Sequence, residues 1–187
     1  MSGLPRLGLG FDLGKRCGWA LVYLRSQDEL PTLVADGTID TYEQASGDDY
    51  GIMGQWFAAL KLLATGKHPA VREQRYQHRV EAFGYEQIRH MQGQGARYIL
   101  MQEGALLAAC HQSGSLCQGV NTATLKAFAD ARDIKGDPAK GIPKVRAVET
   151  MRSNMTDTFD GDLSNVTLDS TVAAWAAYWV LLHAQEA

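Results

Sequence analysis

Cysteine is scarce in this chain, and its arrangement excludes the most common uses of sulfur. Only Cys17, Cys110 and Cys117 occur among 187 residues. An odd number with no C-x-x-C pair argues against a disulfide-stapled scaffold and against a zinc site. A reducing compartment such as the cytoplasm is the simplest setting. No uninterrupted apolar run is long enough to span a bilayer. The opening MSGLPRLGLGF holds one Arg and reaches Asp12 before it could form a secretory leader, so no membrane role is expected. Neither G-x-G-x-x-G nor the Walker A pattern is present, which leaves nucleotide and dinucleotide binding without a motif. An excess of positive charge is also missing. The formal charge is −3, which does not suit a nonspecific coat on DNA.

What is present is an ordinary globular composition, 45% hydrophobic and 21% charged, in a length that fits one domain over 1–187. Local charge departs from the average. Lys61, Lys67, Arg72, Arg75, Arg79 and Arg89 outnumber three acids between 61 and 90, and the segment 125–146 again holds six bases against three acids. Either segment is a solvated face or a surface that contacts phosphates.

Residues 6–12 and 17–24 read as strands joined by a tight turn at Gly14–Arg16, and LPTLVADG leads into a third strand around Gly37–Ile39. Met53, Trp56, Phe57, Leu60, Leu63 and Ala64 recur at helical spacing, which predicts a helix with its aromatics in the core. HRVEAFGYEQI reads as a strand with Glu86 near its end. GARYILMQEGALLAACHQSG reads as a helix burying Ile99, Leu100, Leu106, Leu107 and Cys110, with Gly95 and Gly104 permitting close packing. CQGVNT is a short strand or turn before the helix TATLKAF. DARDIKGDPAKGIPK is an irregular loop, KVRAVETMRSNM a helix and TDTFDGDLSNVTL a polar link. DSTVAAWAAYWVLLHAQ closes the chain as a helix with Asp169 at its N-cap or first turn. Trp19, Trp175 and Trp179 read as core or interface residues. The order fits an α/β domain with a mixed sheet.

Asp12 interrupts an apolar run within GFDLGKRCGWALVYL, residues 10–24. It either satisfies turn amides near Gly14 or is presented on a strand for chemistry. Glu86 and Asp169 sit at comparable element ends, and each has a structural alternative: an exposed strand end for Glu86, a helix cap for Asp169. Carboxylates gathered at close range repel one another unless divalent cations occupy the centre, and hard oxygen ligands suit magnesium. Two such ions orient a water and stabilise both the attacking and the leaving oxygen of a phosphodiester.

GFDLGKRCGWAL, GYEQIRHMQGQGARYILMQEGALLAAC, NTATLKAFADARDIKGDPAKGIPKVRAV and LDSTVAAWAAYW, in that order, resemble the four motifs of the RuvC-like Holliday junction resolvases of the ribonuclease-H-like superfamily. Tyr-Glu before the second helix and Asn-Thr before the lysine segment are most similar to bacteriophage-encoded members. The resemblance runs through most of residues 6–183. It implies a ribonuclease-H-like fold with a five-stranded mixed sheet flanked by helices, and a homodimer acting on branched DNA, four-way junctions above all. The implied activity is a magnesium-dependent endonuclease, with manganese as a substitute, hydrolysing two opposed phosphodiesters. Its implied metal ligands are Asp12, Glu86 and Asp169. Lys126 either contacts phosphate or stabilises charge at the cut, or is a surface lysine, and Lys135, Lys140 and Lys144 are candidates to touch the DNA backbone. Arg89 and His90 either lie near the site or line the helix entry.

The chain departs from the family at the last helix, where two acids three residues apart are usual. If Asp169 matches the earlier acid, Val172 stands at the later position; if it matches the later one, Val166 stands at the earlier. The first alignment keeps the small apolar pattern without a gap and is preferred. Asp157, Asp160 and Asp162 are candidates to substitute. Two alternatives follow: a broader nuclease of the same fold cutting flaps or Y-junctions, or a branched-DNA binding protein with impaired catalysis. The chain is too short for a two-lobed sugar or acetate kinase.

Overall fold

The computed structural model describes residues 6–26, 28–40, 49–72, 80–88, 94–131 and 144–183. Strands β1 (Arg6–Asp12), β2 (Arg16–Leu24) and β3 (Thr32–Asp40) form an antiparallel meander. Helices α1 (Asp49–Ala64) and α2 (Pro69–Arg72) follow, then β4 (Ala82–Gln87), α3 (Gln94–Ser113), β5 (Leu116–Asn121) and α4 (Thr122–Phe128). Two helices, α5 (Lys144–Thr158) and α6 (Leu168–His183), end the described chain. The sheet runs β3-β2-β1-β4-β5, with β4 parallel to both β1 and β5. This is the mixed five-stranded sheet that the motifs imply.

Side chains alternate between the faces of a strand, and the two faces build two cores. Leu7, Leu9, Phe11, Trp19, Phe83 and Tyr85 pack with Trp56, Leu60, Leu63 and Leu106 on the side of α1 and α3. Ala20, Val22, Ala82 and Val120 pack with α5 and α6 on the other. There the strands carry glycine. A methyl group on Gly10 would collide with the carbonyl of Ala173, and one on Gly84 with that of Ala176. Ala173, Ala174, Ala176 and Ala177 are all buried. Small residues on both partners let α6 lie directly on the backbone of β1, β2 and β4. Trp175 escapes this contact on the far side of α6. Its indole N–H donates to the carbonyl of Met151 at 3.1 Å, tying α5 to α6.

Several expected burial sites are corrected. Ile99, Gln102, Leu106 and Cys110 form the inner stripe of α3, whereas Leu100 is 65% and Leu107 44% exposed. Spacing alone does not distinguish the two stripes, because both recur every three to four residues. Gly104 lies on the outer stripe with open space around it, so it provides no close packing. Phe57 is exposed while its neighbour Trp56 is fully buried. Cys117–Asn121 of CQGVNT belong to a full edge strand held to β4 along its length, and Thr122 already opens α4. The link after α5 is tied to β3, with Leu33 N–H donating to Asp160 at 2.8 Å and Asp160 N–H to Pro31 at 2.9 Å. No described helix is long and apolar enough to cross a membrane.

Candidate active site

β1 and β4 are parallel neighbours and end at the same side of the sheet. Phe11 and Tyr85 are their last registered pair. Asp12 and Glu86 each stand one residue beyond, on strands about 4.8 Å apart. Phe11 and Tyr85 point into the α1/α3 core, so Asp12 and Glu86 project from the opposite face, the one that α6 covers.

The start of α6 arrives at the same place. Gly18 pairs with Asp12 across the antiparallel ladder, and a methyl group on Gly18 would strike the backbone carbonyl of Asp169. Only a residue without a side chain lets the first turn of α6 come this close to β2. Asp169 is not the cap of its helix. Thr167 and Ser170 cap it reciprocally: Ser170 N–H donates to Thr167 Oγ1 at 3.1 Å and Thr167 N–H to Ser170 Oγ at 3.0 Å. The Ser170 hydroxyl donates in turn to Asp36 Oδ2 on β3 at 2.5 Å, fastening the helix start to the sheet. Asp169 occupies the first turn, with its carboxyl outside the cap.

Cys17 reports the field at this point. Burial pushes its thiol up to about 12, opposed by a hydrogen bond with the Trp56 side chain and raised further, by smaller amounts, by the charges of Asp12 and Asp169. Both carboxylates therefore act on one buried sulfur. The raised value keeps the thiol protonated at neutral pH, which makes it a poor nucleophile.

Glu86 is 2% exposed; it is not the exposed strand end that its position alone allows. The Thr122 hydroxyl donates to Glu86 Oε1 at 2.7 Å. Thr122 opens α4, whose first turn is set by Asn121 Oδ1 accepting from Ala123 N–H at 2.8 Å. One turn further on, Lys126 lines a narrow cavity of about 10 Å³ together with Glu86, Thr122 and Val172. The structure thus brings Lys126 and Val172 to Glu86, and Asp169 to Asp12.

Basic and polar groups complete the surroundings. Arg16, at the start of β2, reaches Asp169 Oδ2 and Asp40 Oδ2, each at 3.8 Å. Gln102, buried on α3, donates to the carbonyl of Gly14 at 3.0 Å and holds the turn that follows Asp12. Arg16, Asp36, Asp40, Gln102 and Thr122 were not legible as site residues in the sequence. The period of two that places Asp36 and Asp40 on one face of β3 was the available signal.

Among the described residues none of the three candidate substitutes forms a metal-holding group with the site carboxylates, although the charge of Asp162 reaches Asp36. Asp160 bridges to Thr32, at the other end of β3 from Asp40, about 26 Å away at strand rise. The carboxylate of Asp162 is held below its ordinary pKa by hydrogen bonds from Ser164, the side chain first and then the backbone N–H at 2.9 Å. Asp157 is exposed near the end of α5. Lys144 is the first residue of α5, and Arg89, His90, Lys135 and Lys140 lie outside the described residues.

Among the described residues no three acidic, His or Cys side chains stand close enough together to hold a metal ion as they are arranged. Asp169 instead turns toward Arg16. The donor chemistry nevertheless suits a hard divalent cation. Asp12, Glu86 and Asp169 offer only oxygen, converge on one end of one sheet face, and have no cysteine or histidine among them.

No protein-family model matches the sequence, and no curated protein matches it significantly. Solved structures do match. RuvC of Thermus thermophilus superimposes with a TM-score of 0.65 at 16% identity, covering 96% of both chains. The same protein in complex with a Holliday junction substrate gives 0.64 at 16% identity, again over 96% of both chains. The yeast mitochondrial Holliday junction resolvase Ydc2 gives 0.57 at 13% identity, over 95% of this chain and 78% of that one. The chain therefore has the RuvC-like fold shared by these resolvases, an α/β architecture of ribonuclease-H-like type.

Proposed function

We propose that this protein is a metal-dependent endonuclease that resolves four-way DNA junctions by hydrolysing two opposed phosphodiesters. The observation that carries this reading is the convergence of Asp12, Glu86 and the first turn of α6 at one end of a sheet with the RuvC-like fold. Asp12, Glu86 and Asp169 would hold magnesium, with manganese as a substitute. A divalent cation bound there supplies charge stabilisation and a water of lowered pKa for attack on phosphorus.

The protein's own groups have separable parts in this reading. Thr122 holds Glu86 in one orientation. Lys126 stands beside Glu86, where its ammonium balances negative charge near the cut. The Gly18 contact sets the distance of Asp169 from Asp12. The basic residues Lys135, Lys140, Lys144 and Arg89 supply phosphate contacts that select substrate by shape. Symmetric cutting calls for two sites related by a two-fold axis, which a homodimer provides. The outer faces of α1 and α3 support it: Phe57, Ala58 and Ala109 line a groove of about 600 Å³, and Leu62, Leu100 and Leu107 are exposed elsewhere on the same two helices.

A second reading has its own support. Val172, 3% exposed, puts an apolar side chain against Glu86, which would suit a branched-DNA binding protein that cuts poorly. One experiment separates these readings and the broader nuclease. Cleavage of a labelled four-way junction is compared with a matched flap and a linear duplex, with and without magnesium, for wild type and Asp12→Asn. Paired symmetric cuts on the junction that vanish in the variant support the resolvase. Preferential cutting of the flap supports the broader nuclease. Tight junction binding without magnesium- or manganese-dependent cutting supports the binding protein.

A further inference from the structure

Arg16 is placed where an ordinary surface arginine has no need to be. It opens β2 directly after the turn that follows Asp12, and its side chain is 65% exposed. Its guanidinium meets carboxylates from two other elements, Asp40 at the end of β3 and Asp169 in the first turn of α6. Exposed ion pairs at 3.8 Å contribute little to stability, so the fold does not account for this arrangement. Its electrostatic consequence is larger. In the sheet order β3-β2-β1-β4, pairing with Arg16 holds Asp169 toward the β3 side, while Glu86 stands two strands further on. The guanidinium therefore competes with any cation for Asp169. Once it is released from Asp169, its planar fork of N–H donors matches the oxygens of a phosphate.

We propose that Arg16 is a substrate-contacting residue of this site that occupies Asp169 in the resting protein and passes to a backbone phosphate of the DNA when divalent cations take up Asp169. The inference rests on the nuclease reading and extends it with a residue that exchanges one anion for another.

Two consequences have opposite signs, which a merely structural role would not produce. In the DNA-free protein, Arg16→Ala removes a competing positive charge and tightens Mn2+ binding about three- to tenfold, read by calorimetry. With a four-way junction in Ca2+, which permits binding while cutting is suppressed, the same variant binds about tenfold more weakly. The slope of log K against log salt becomes shallower by about 1. Arg16→Lys restores that slope and recovers only part of the affinity, because an ammonium lacks the fork.

Unchanged or weaker Mn2+ binding in Arg16→Ala, with its melting temperature kept, overturns the exchange. An unchanged salt slope overturns the phosphate contact. If the wild type neither binds nor cuts branched DNA, the nuclease reading falls and takes this inference with it. If the wild type cuts and Arg16→Ala matches it in every assay, the inference alone falls.

Discussion

The hydroxyl of Thr122 donates a 2.7 Å hydrogen bond to Oε1 of Glu86, and the carboxylate that receives it is almost wholly buried. A buried side-chain hydrogen bond contributes about 0.5–1.5 kcal/mol, enough to favour one orientation of a side chain. Thr122→Val keeps the shape and removes the donor. It is expected to lower the rate of junction cleavage about tenfold and to raise the magnesium concentration needed for half-maximal rate. Thr122→Ser should restore most of both. Cleavage rates across a magnesium titration, with melting temperatures alongside, check this; a serine variant as impaired as the valine variant would show that the hydroxyl is not what matters.

Gly18 decides how near Asp169 comes to Asp12, because any side chain there meets the Asp169 backbone. Backbone cannot rotate out of the way as a flexible side chain can, so Gly18→Ala must shift the first turn of α6. The expected cost in stability is about 1–3 kcal/mol, seen as a lower melting temperature. Activity should fall further than stability, measured as cleavage well below that temperature. The comparable substitution Gly54→Ala on α1, where nothing lies within 4 Å of the added methyl, should leave cleavage unchanged.

Much of this site was legible before any coordinates, and the reason is local. Asp12, Glu86 and Asp169 each stand at the end of a strongly patterned element, whereas the close packing of α6 on the strand glycines appears only in the structure. What the pattern does not carry is reach between elements. Thr122 meets Glu86 across β4 and β5, Arg16 meets Asp169 across 153 residues of chain, and Gln102 meets Gly14 from a helix on the other face. These pairings depend on register and crossing geometry, which hydrophobic period leaves open. The burial errors on α3 have the same origin. Leu100 and Leu107 satisfy a helical period as well as Ile99 and Leu106 do, and the buried polar Gln102 hides the true inner stripe.

The outer stripe of α3 gives a prediction about assembly. Leu100 and Leu107 lie exposed on α3, as Phe57 and Leu62 do on α1, apolar side chains that a two-fold dimer would cover. Leu100→Glu is expected to shift the protein from dimer to monomer in light scattering while keeping its far-ultraviolet spectrum. Junction cutting should then lose its pairing, giving single nicks. A wild type that is monomeric at all concentrations would overturn the dimer, and a glutamate variant that stays dimeric would move its interface elsewhere.

Asp36 makes stability depend on pH. Its pKa lies above the ordinary 3.8 because burial opposes ionisation more than the Ser170 hydrogen bond favours it, with repulsion from Asp162 adding to the rise. The folded protein therefore binds this proton more tightly than the unfolded chain. The Asp36 contribution is most favourable below about pH 4 and is lost as pH rises through the raised folded value. Asp36→Asn keeps an acceptor for Ser170 and removes the titration. Melting temperatures between pH 4 and 7 should fall less steeply with rising pH in the variant than in wild type, and the variant should be at least as stable at pH 7.

Val172 faces Glu86, Thr122 and Lys126 across a cavity too small for added groups. A carboxylate placed there is buried beside another carboxylate, which costs stability unless positive charge is supplied. Val172→Asp is expected to lower the melting temperature by about 4–10 °C in EDTA, in line with a loss of about 2 kcal/mol or more in a domain of this size. Because the new oxygen donors would join the proposed ligand set, Mn2+ should recover a larger part of that loss than it adds to the wild type. Equal shifts with Mn2+ in both proteins would place the divalent cation away from Val172, and would leave the Asp12 and Asp169 side of the sheet as its only candidate location among the described residues.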